Sequence, residues 1–276
     1  MTDPHVGDEQ AAAVMTNDER AVVIRGLFKT FGANQAVSGV SLDIPRGAFY
    51  GMVGPNGAGK STTMKMCTCL LRPDAGEVWV DGLSVWDDTE AAKRRFGALP
   101  DDLPLFERLT GAELLTFLGK FRGLDDGDVG ERVPELLAVL GLTDASNTLV
   151  ADYSTGMRKK ISLAAAVLHA PRVLFLDEPF ESVDPVSARA IQDVLEVFCS
   201  RGGTVILSSH VMDTVERMCD HVAIIHMGRV MAAGPVDEIR DGRRLEDVFI
   251  DAVGGRIEVG GQLDWLEGPT RGVTSA

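Results

Sequence analysis

GPNGAGKST, at residues 54–62, decides the architecture. It satisfies G-x-x-x-x-G-K-[ST] with Gly54, Gly59, Lys60 and Ser61 at the defining positions, and it lies between an apolar run at residues 48–53 and a helix-like segment. A Gly-rich turn with a strand before it and a helix after it is a phosphate cradle. Its glycines let successive backbone N–H groups face one anion, Lys60 reaches β- and γ-phosphates, and the Ser61 hydroxyl is a hard oxygen ligand for Mg²⁺. Pro55, Asn56, Gly57, Ala58 and Thr62 complete the loop. The segment predicts binding of a nucleoside triphosphate. A chance Gly-rich turn is the alternative, and the flanking strand and helix count against it.

Upstream, AVVIRGL, AVSGVSLDI and AFYGMVG read as strands separated by the turn signals FGAN and PRG, a small sheet feeding the P-loop strand. Downstream, residues 64–71 continue a helix that Pro73 and Asp74 stop, and GEVWVDG and RRFGALP read as strands. Between about 103 and 155 the pattern turns helical: TGAELLTFLGKF and VGERVPELLAVLGL carry apolar residues three and four apart. Strand and helix then alternate from residue 157 to 226, which predicts a parallel sheet covered on both faces. The fold class is α/β, with a mostly parallel sheet, an N-terminal antiparallel β subdomain and a helical insertion. Residues 1–20 read as a mobile acidic tail, 21–235 as the main domain with its insertion at about 103–155, and 236–276 as a short C-terminal extension.

The chain has 41 acidic and 27 basic side chains and a formal net charge of -14, which would repel a polyphosphate backbone, so no nucleic acid partner is expected. MTDPHVGDEQ lacks a basic region followed by an apolar one, and no apolar stretch is long enough for a bilayer; the chain is expected neither to be secreted nor to span a membrane by itself. Cys67, Cys69, Cys199 and Cys219 lack C-x-x-C spacing and read as free thiols.

RVLFLDEP, at residues 172–179, is an apolar strand ending in two carboxylates. Carboxyl ends of parallel strands line the ligand crevice, so Asp177 and Glu178 are expected near the P-loop. Asp177 would hold Mg²⁺ directly or through water, and Glu178 would orient or deprotonate the attacking water. Two exposed acids at a strand end are the plain alternative. His210 follows another apolar strand in VILSSHVMD, predicted to lie beside the first, within reach of the γ-phosphate and the attacking water; a surface or structural histidine is the other reading.

In this order and spacing, residues 21–234 closely resemble the ATP-binding subunits of ABC transporters, whose fold is a P-loop ATPase core. The resemblance implies ATP and Mg²⁺ as ligands, hydrolysis, and pairing of two ATP-binding subunits, as a homodimer or heterodimer, around ATP. Phe31 stands where the family stacks an aromatic on adenine, although a core role would also suit it. YSTGM, at residues 153–157, occupies the place of the LSGGQ signature that touches the γ-phosphate held by the opposite subunit. It keeps Ser154 and Gly156; from the helix alone Ser154 reads as an N-cap. ESVDP, at residues 181–185, stands where the family has an SGLDP loop crossing the dimer interface, with Asp184 and Pro185 matching; Asp184 also reads as a helix N-terminal acid. Asp101 replaces the Gln that the family carries before the helical insertion. Its charge near a triphosphate requires either an offset by Mg²⁺ or a side chain that points away.

LEDVF, at residues 245–249, is similar to the tail of ABC-2-type exporter subunits and also suits an amphipathic helix with Leu245, Val248 and Phe249 on one face. The resemblance therefore implies an ATPase that powers a separate transmembrane permease, directed to export and held at the cytoplasmic face by that partner. A soluble ATPase of the same superfamily with a non-transport role is the alternative.

Overall fold

The structure, a computed structural model, describes residues 19–101 and 104–253. Of the acidic tail read at residues 1–20, residues 1–18 lie outside the described residues and Arg20 already begins the first strand; residues 254–276 of the C-terminal extension also lie outside them. In chain order β1 (Arg20–Phe31), β2 (Asn34–Pro45) and β3 (Phe49–Val53) lead into α1 (Lys60–Cys67), β4 (Ala75–Val80) and β5 (Leu83–Ser84). Next come α2 (Thr89–Arg95), β6 (Phe96–Leu99), α3 (Gly111–Phe121), α4 (Asp126–Val139) and α5 (Thr155–Val167). Then follow β7 (Val173–Asp177), α6 (Pro185–Ser200), β8 (Thr204–Ser209), α7 (Met212–Met218), β9 (His221–His226), β10 (Arg229–Pro235), α8 (Val236–Arg240) and α9 (Leu245–Ala252).

Two sheets result. One is antiparallel in the order β2-β1-β4-β5; the other runs β10-β9-β3-β8-β7-β6, parallel from β9 to β6 with β10 antiparallel at its edge. The composition of β7 explains the layering. In VLFLD, Val173 and Phe175 join the core shared with β1, β2 and α1, while Leu174 and Leu176 join the core under α3 to α7. A strand covered on both faces needs apolar residues at every position rather than alternate ones. Its polar end, Asp177, emerges at the carboxyl edge of the sheet beside the P-loop.

The insertion is pinned by its caps and by α5. Thr110 and Glu113 form a reciprocal capping box at the start of α3, satisfying donors that the first helical turn leaves free. Helix α5 buries Ile161, Leu163 and Ala164 in the same core as Leu114 and Leu115 of α3 and Leu174 of β7. Leu163 is 0% exposed. Truncation to Ala is expected to cost about 2–5 kcal/mol of stability, through lost burial plus a cavity. It should appear as a lower denaturant midpoint at an unchanged m-value.

Helix α1 is shorter than its sequence suggests. It ends at Cys67, where the Thr68 hydroxyl donates to Met64 O and Cys69 turns left-handed at φ 61°, so the chain leaves the helix before Pro73 is reached. Cys69 consequently lies outside the helix that carries Cys67. The edge strand β10 alternates between exposed and half-buried residues along most of its length, whereas β3, β7 and β8 are buried at every position. Helix α9 packs as its apolar face predicts: Leu245 is buried, and Val248 and Phe249 lie against the same core as α7. Among the described residues no helix is long and apolar enough to cross a membrane.

Candidate active site

The P-loop is shaped by close approach. Gly59 caps α1 at φ 103°, and a Cβ there would lie 2.4 Å from Ala36 O, so any side chain would push the loop off β2. Gly228, in the β9–β10 turn, donates its N–H to Ala58 O and accepts from Ser38 N, tying loop, β2 and turn together. The first backbone N–H to close an α1 hydrogen bond is that of Thr63, to Gly59 O. Those before it are the open donors at which a helix start holds phosphate. An open cleft of about 450 Å³ is lined by these residues, 56–62, together with Phe31, Asn34, Ala36, Asp101, Glu178 and Glu181. Its size suits a nucleotide-sized ligand.

Lys60 is almost fully buried, and its ammonium donates to Gly54 O (2.8 Å) and Pro55 O (3.2 Å). Burial pushes its pKa down, and the carboxylates of Glu178 and Asp177 oppose that shift. Glu178 Oε1 stands 3.6 Å from the ammonium. Phe31 is 49% exposed at the rim with the Lys29 ammonium 5.8 Å from its ring centroid, so it is not a core residue.

Strands β7 and β8 bring the acidic pair to the same edge. Asp177 is buried and its Oδ1 accepts from the hydroxyls of Ser61 (3.0 Å) and Ser208 (2.5 Å). A carboxylate and a hydroxyl in contact at the foot of a phosphate loop are hard oxygen donors of the kind Mg²⁺ takes. Glu178 sits at φ 45°, a left-handed conformation that a non-glycine residue adopts only when held. Its N–H donates to Ser208 Oγ at 3.0 Å. His210 Nδ1 lies 3.1 Å from Glu178 Oε2. Because an ionised carboxylate can only accept, the histidine proton on this contact is at Nδ1, leaving Nε2 directed elsewhere. Asp101 lines the cleft with its Oδ1 2.8 Å from Lys159 Nζ. The charge opposite Asp101 is therefore a lysine, an offset that the sequence reading did not include.

Residues 37–181 match the ABC transporter family. The chain belongs to that family. Within it, the chain is an ATP-binding and ATP-hydrolysing subunit. It is 38% identical to the daunorubicin/doxorubicin resistance ATP-binding protein DrrA of Streptomyces peucetius, over 82% of this chain and 68% of the relative. It is 37% identical to the linearmycin resistance ATP-binding protein LnrL of Bacillus subtilis, over 75% of this chain and 66% of the relative. The chain thus spans about two thirds of the length of both. A solved structure of an ATP-binding subunit of an ABC transporter superposes with a TM-score of 0.79 at 31% identity, covering 84% of this chain and 99% of the other.

Three of the ABC-type positions read from the sequence gather away from the cleft. Ser154 caps α5, its hydroxyl accepting from Met157 N, and Asp184 caps α6, accepting from Val186 N and Ser187 N. Hydrogen bonds from Ser187, with a further one from Val186 N, hold the Asp184 carboxyl below the usual carboxylate range. A Cβ on Gly156 would lie 2.9 Å from both Asp184 Oδ2 and Ser187 Oγ, so the two helix starts pack against each other at this glycine. Ser154, Gly156 and Asp184 form a second polar site on the same chain, while Phe31, the P-loop, Asp101, Asp177, Glu178 and His210 form the first.

Two residues that the sequence reading passed over complete the first site. Ser208 bridges Asp177 and Glu178, and Lys159 donates to Asp101 Oδ1 and to Glu178 O at 3.0 Å. Ser208 sits in LSSH and Lys159 in RKK, where neither stands out by spacing. The pairing of Asp177 with Ser208 across β7 and β8 is the signal that selects the serine.

Proposed function

We propose that two ATP-binding subunits, each built as this one is, close around ATP, and that the closing and opening drive a separate transmembrane permease in the direction of export from the cytoplasmic face. The observation that carries this reading is the division of the polar machinery into two sites on one chain. Among the described residues the lining of the P-loop cleft does not include Ser154 or Gly156, whose helix start packs against Asp184 and Ser187 instead. A second subunit brings the missing half to each cleft. Residues 21–235 are the nucleotide-binding unit in this scheme, with the insertion at about 103–155 within it and residues 236–276 appended. Export is favoured over import by the drug-resistance names of the two relatives and by the LEDVF helix.

In each cleft the P-loop N–H groups and Lys60 hold the β- and γ-phosphates, and Phe31 lies where an adenine would stack. Ser61 and Asp177 are the residues that would hold Mg²⁺, which when bound offsets phosphate charge. Glu178 accepts the proton of the attacking water, with His210 Nδ1–H on Oε2 and the Lys60 ammonium 3.6 Å from Oε1 fixing the carboxylate's orientation. Cleavage of the γ-phosphate removes the contact that Ser154 and Gly156 of the opposing subunit make, and the pair opens.

Coexpression tests the transport half of this reading. The full-length chain should fractionate with membranes when a polytopic membrane protein encoded beside it is present, should copurify with it, and should return to the soluble fraction when that partner is deleted. A chain that stays soluble with every such partner, while hydrolysing ATP, belongs to a non-transport process instead.

A further inference from the structure

Glu178 is held against its own backbone preferences. At φ 45° it occupies a region unfavourable for a side chain with a Cβ, and Pro179 after it favours extended conformations at this position. Its N–H is fixed from β8 by Ser208 Oγ, and its carboxylate is met by His210 and Lys60. Its carbonyl is held by a residue of another element, Lys159 of α5, whose ammonium donates to Glu178 O at 3.0 Å. The Lys159 side chain is 12% exposed. An ammonium so enclosed needs a counter-charge as well as a neutral acceptor, and Asp101, 2.8 Å away and 47% exposed, supplies it.

We infer that Lys159 is a positioning residue for Glu178: it clamps the Glu178 peptide so that the carboxylate faces the cleft, and Asp101 acts on hydrolysis through this lysine. The clamp joins three parts of the molecule that the sequence separates, namely the end of β6, the helix that starts at Ser154, and the end of β7. Asp101 accordingly need not touch nucleotide to affect turnover. A shift of the segment carrying Asp101 loosens Lys159, and a loosened Lys159 leaves the Glu178 carbonyl with the Glu181 N–H at 3.2 Å as its remaining hold, so the left-handed conformation at residue 178 is less firmly fixed. This inference rests on the reading of Glu178 as the residue that activates water.

The test is steady-state ATP hydrolysis by the full-length chain, with kcat and KM for ATP resolved separately. Misplacing a reacting group by about 1 Å costs on the order of 100-fold in rate, so Lys159→Met is expected to lower kcat about 10–100-fold. KM should change less than kcat, because Lys159 bonds Asp101 and the Glu178 carbonyl rather than the P-loop, and the only cost to binding is the counter-charge that Asp101 loses. Lys159→Arg keeps a charged donor and should recover kcat to within a few-fold. Asp101→Ala should lower kcat about 3–10-fold, and the Lys159→Met/Asp101→Ala double variant should fall no further than Lys159→Met alone, the signature of two residues acting in series. A purely structural lysine would lower the folded fraction without this non-additivity. A kcat for Lys159→Met within twofold of the parent overturns the clamp, and losses that multiply in the double variant overturn the link to Asp101. Should Lys159→Met fail to fold, an unchanged kcat in Asp101→Ala overturns the link by itself. The Glu178→Gln variant keeps the two readings apart: if it retains turnover, the water-activating role of Glu178 falls, whereas an inactive Glu178→Gln beside a normal Lys159→Met removes only the clamp.

Discussion

Glu178→Gln should lower the rate of ATP hydrolysis by about 10²–10⁴-fold, the range that a positioned general base supplies. The substitution is nearly isosteric, so the backbone hold on residue 178 from Ser208 and Lys159 is untouched. An amide oxygen can still accept from His210 Nδ1–H, and the side chain keeps its place beside Lys60. What disappears is the capacity to take a proton from water. Binding of ATP should persist, because the P-loop N–H groups, Lys60 and Phe31 are unchanged. The loss of one negative charge from a cleft that also holds Asp177 and Asp101 pushes affinity for a polyanion upward. An ATP-bound pair that cannot hydrolyse should also stay closed. Phosphate release, equilibrium nucleotide binding and the size of the ATP-bound species measure the three parts. Turnover at the parent rate would remove Glu178 from the chemistry.

The parts of this site that were legible in the sequence are those whose chemistry is written in consecutive residues. GPNGAGKST carries its own turn, helix start, lysine and hydroxyl, so the cradle could be assigned without knowing what packs around it. RVLFLDEP was legible for a related reason: an all-apolar strand must be covered on both faces, and a strand of a parallel sheet delivers its last residues to the ligand edge. Ser208 and Lys159 were not legible, because each acts through neighbours distant in the chain. Ser208 matters only once β8 is placed beside β7, and Lys159 only once α5 brings it to the end of β6 and to the Glu178 carbonyl. The same distinction explains Asp101. Its charge looked awkward when weighed against a triphosphate alone, and it is ordinary once Lys159 is opposite. The early end of α1 is a tertiary effect as well. Residues 64–71 keep an apolar pattern, but Cys69 is drawn into a left-handed turn with its thiol against Val85 O.

Lys60→Met should produce the converse of Glu178→Gln, with nucleotide affinity lost rather than turnover alone. A charge-assisted hydrogen bond contributes about 1.5–3 kcal/mol, so the direct loss of contact to the phosphates weakens binding roughly 10–150-fold. The surroundings add to it. In the folded chain the ammonium sits among Gly54 O, Pro55 O, Glu178 Oε1 and the Asp177 carboxylate. With a thioether in its place the two carboxylates face the triphosphate uncompensated, and like charges in a partly buried cleft repel more strongly than in water. Affinity is therefore expected to fall by about 100-fold or more. Folding should change far less, since Met fills a similar volume and removes the cost of burying an ammonium, against the loss of its two hydrogen bonds to loop carbonyls. Nucleotide titration beside thermal unfolding separates the two effects. Undiminished ATP affinity in a folded Lys60→Met chain would mean that the phosphates lie outside the P-loop cleft, and the roles drawn for Ser61, Asp177 and Glu178 around it would fall with it. Affinity lost in this variant but kept in Glu178→Gln would instead assign binding to the loop and chemistry to the strand end, two functions held about one hydrogen bond apart by Ser61 and Asp177.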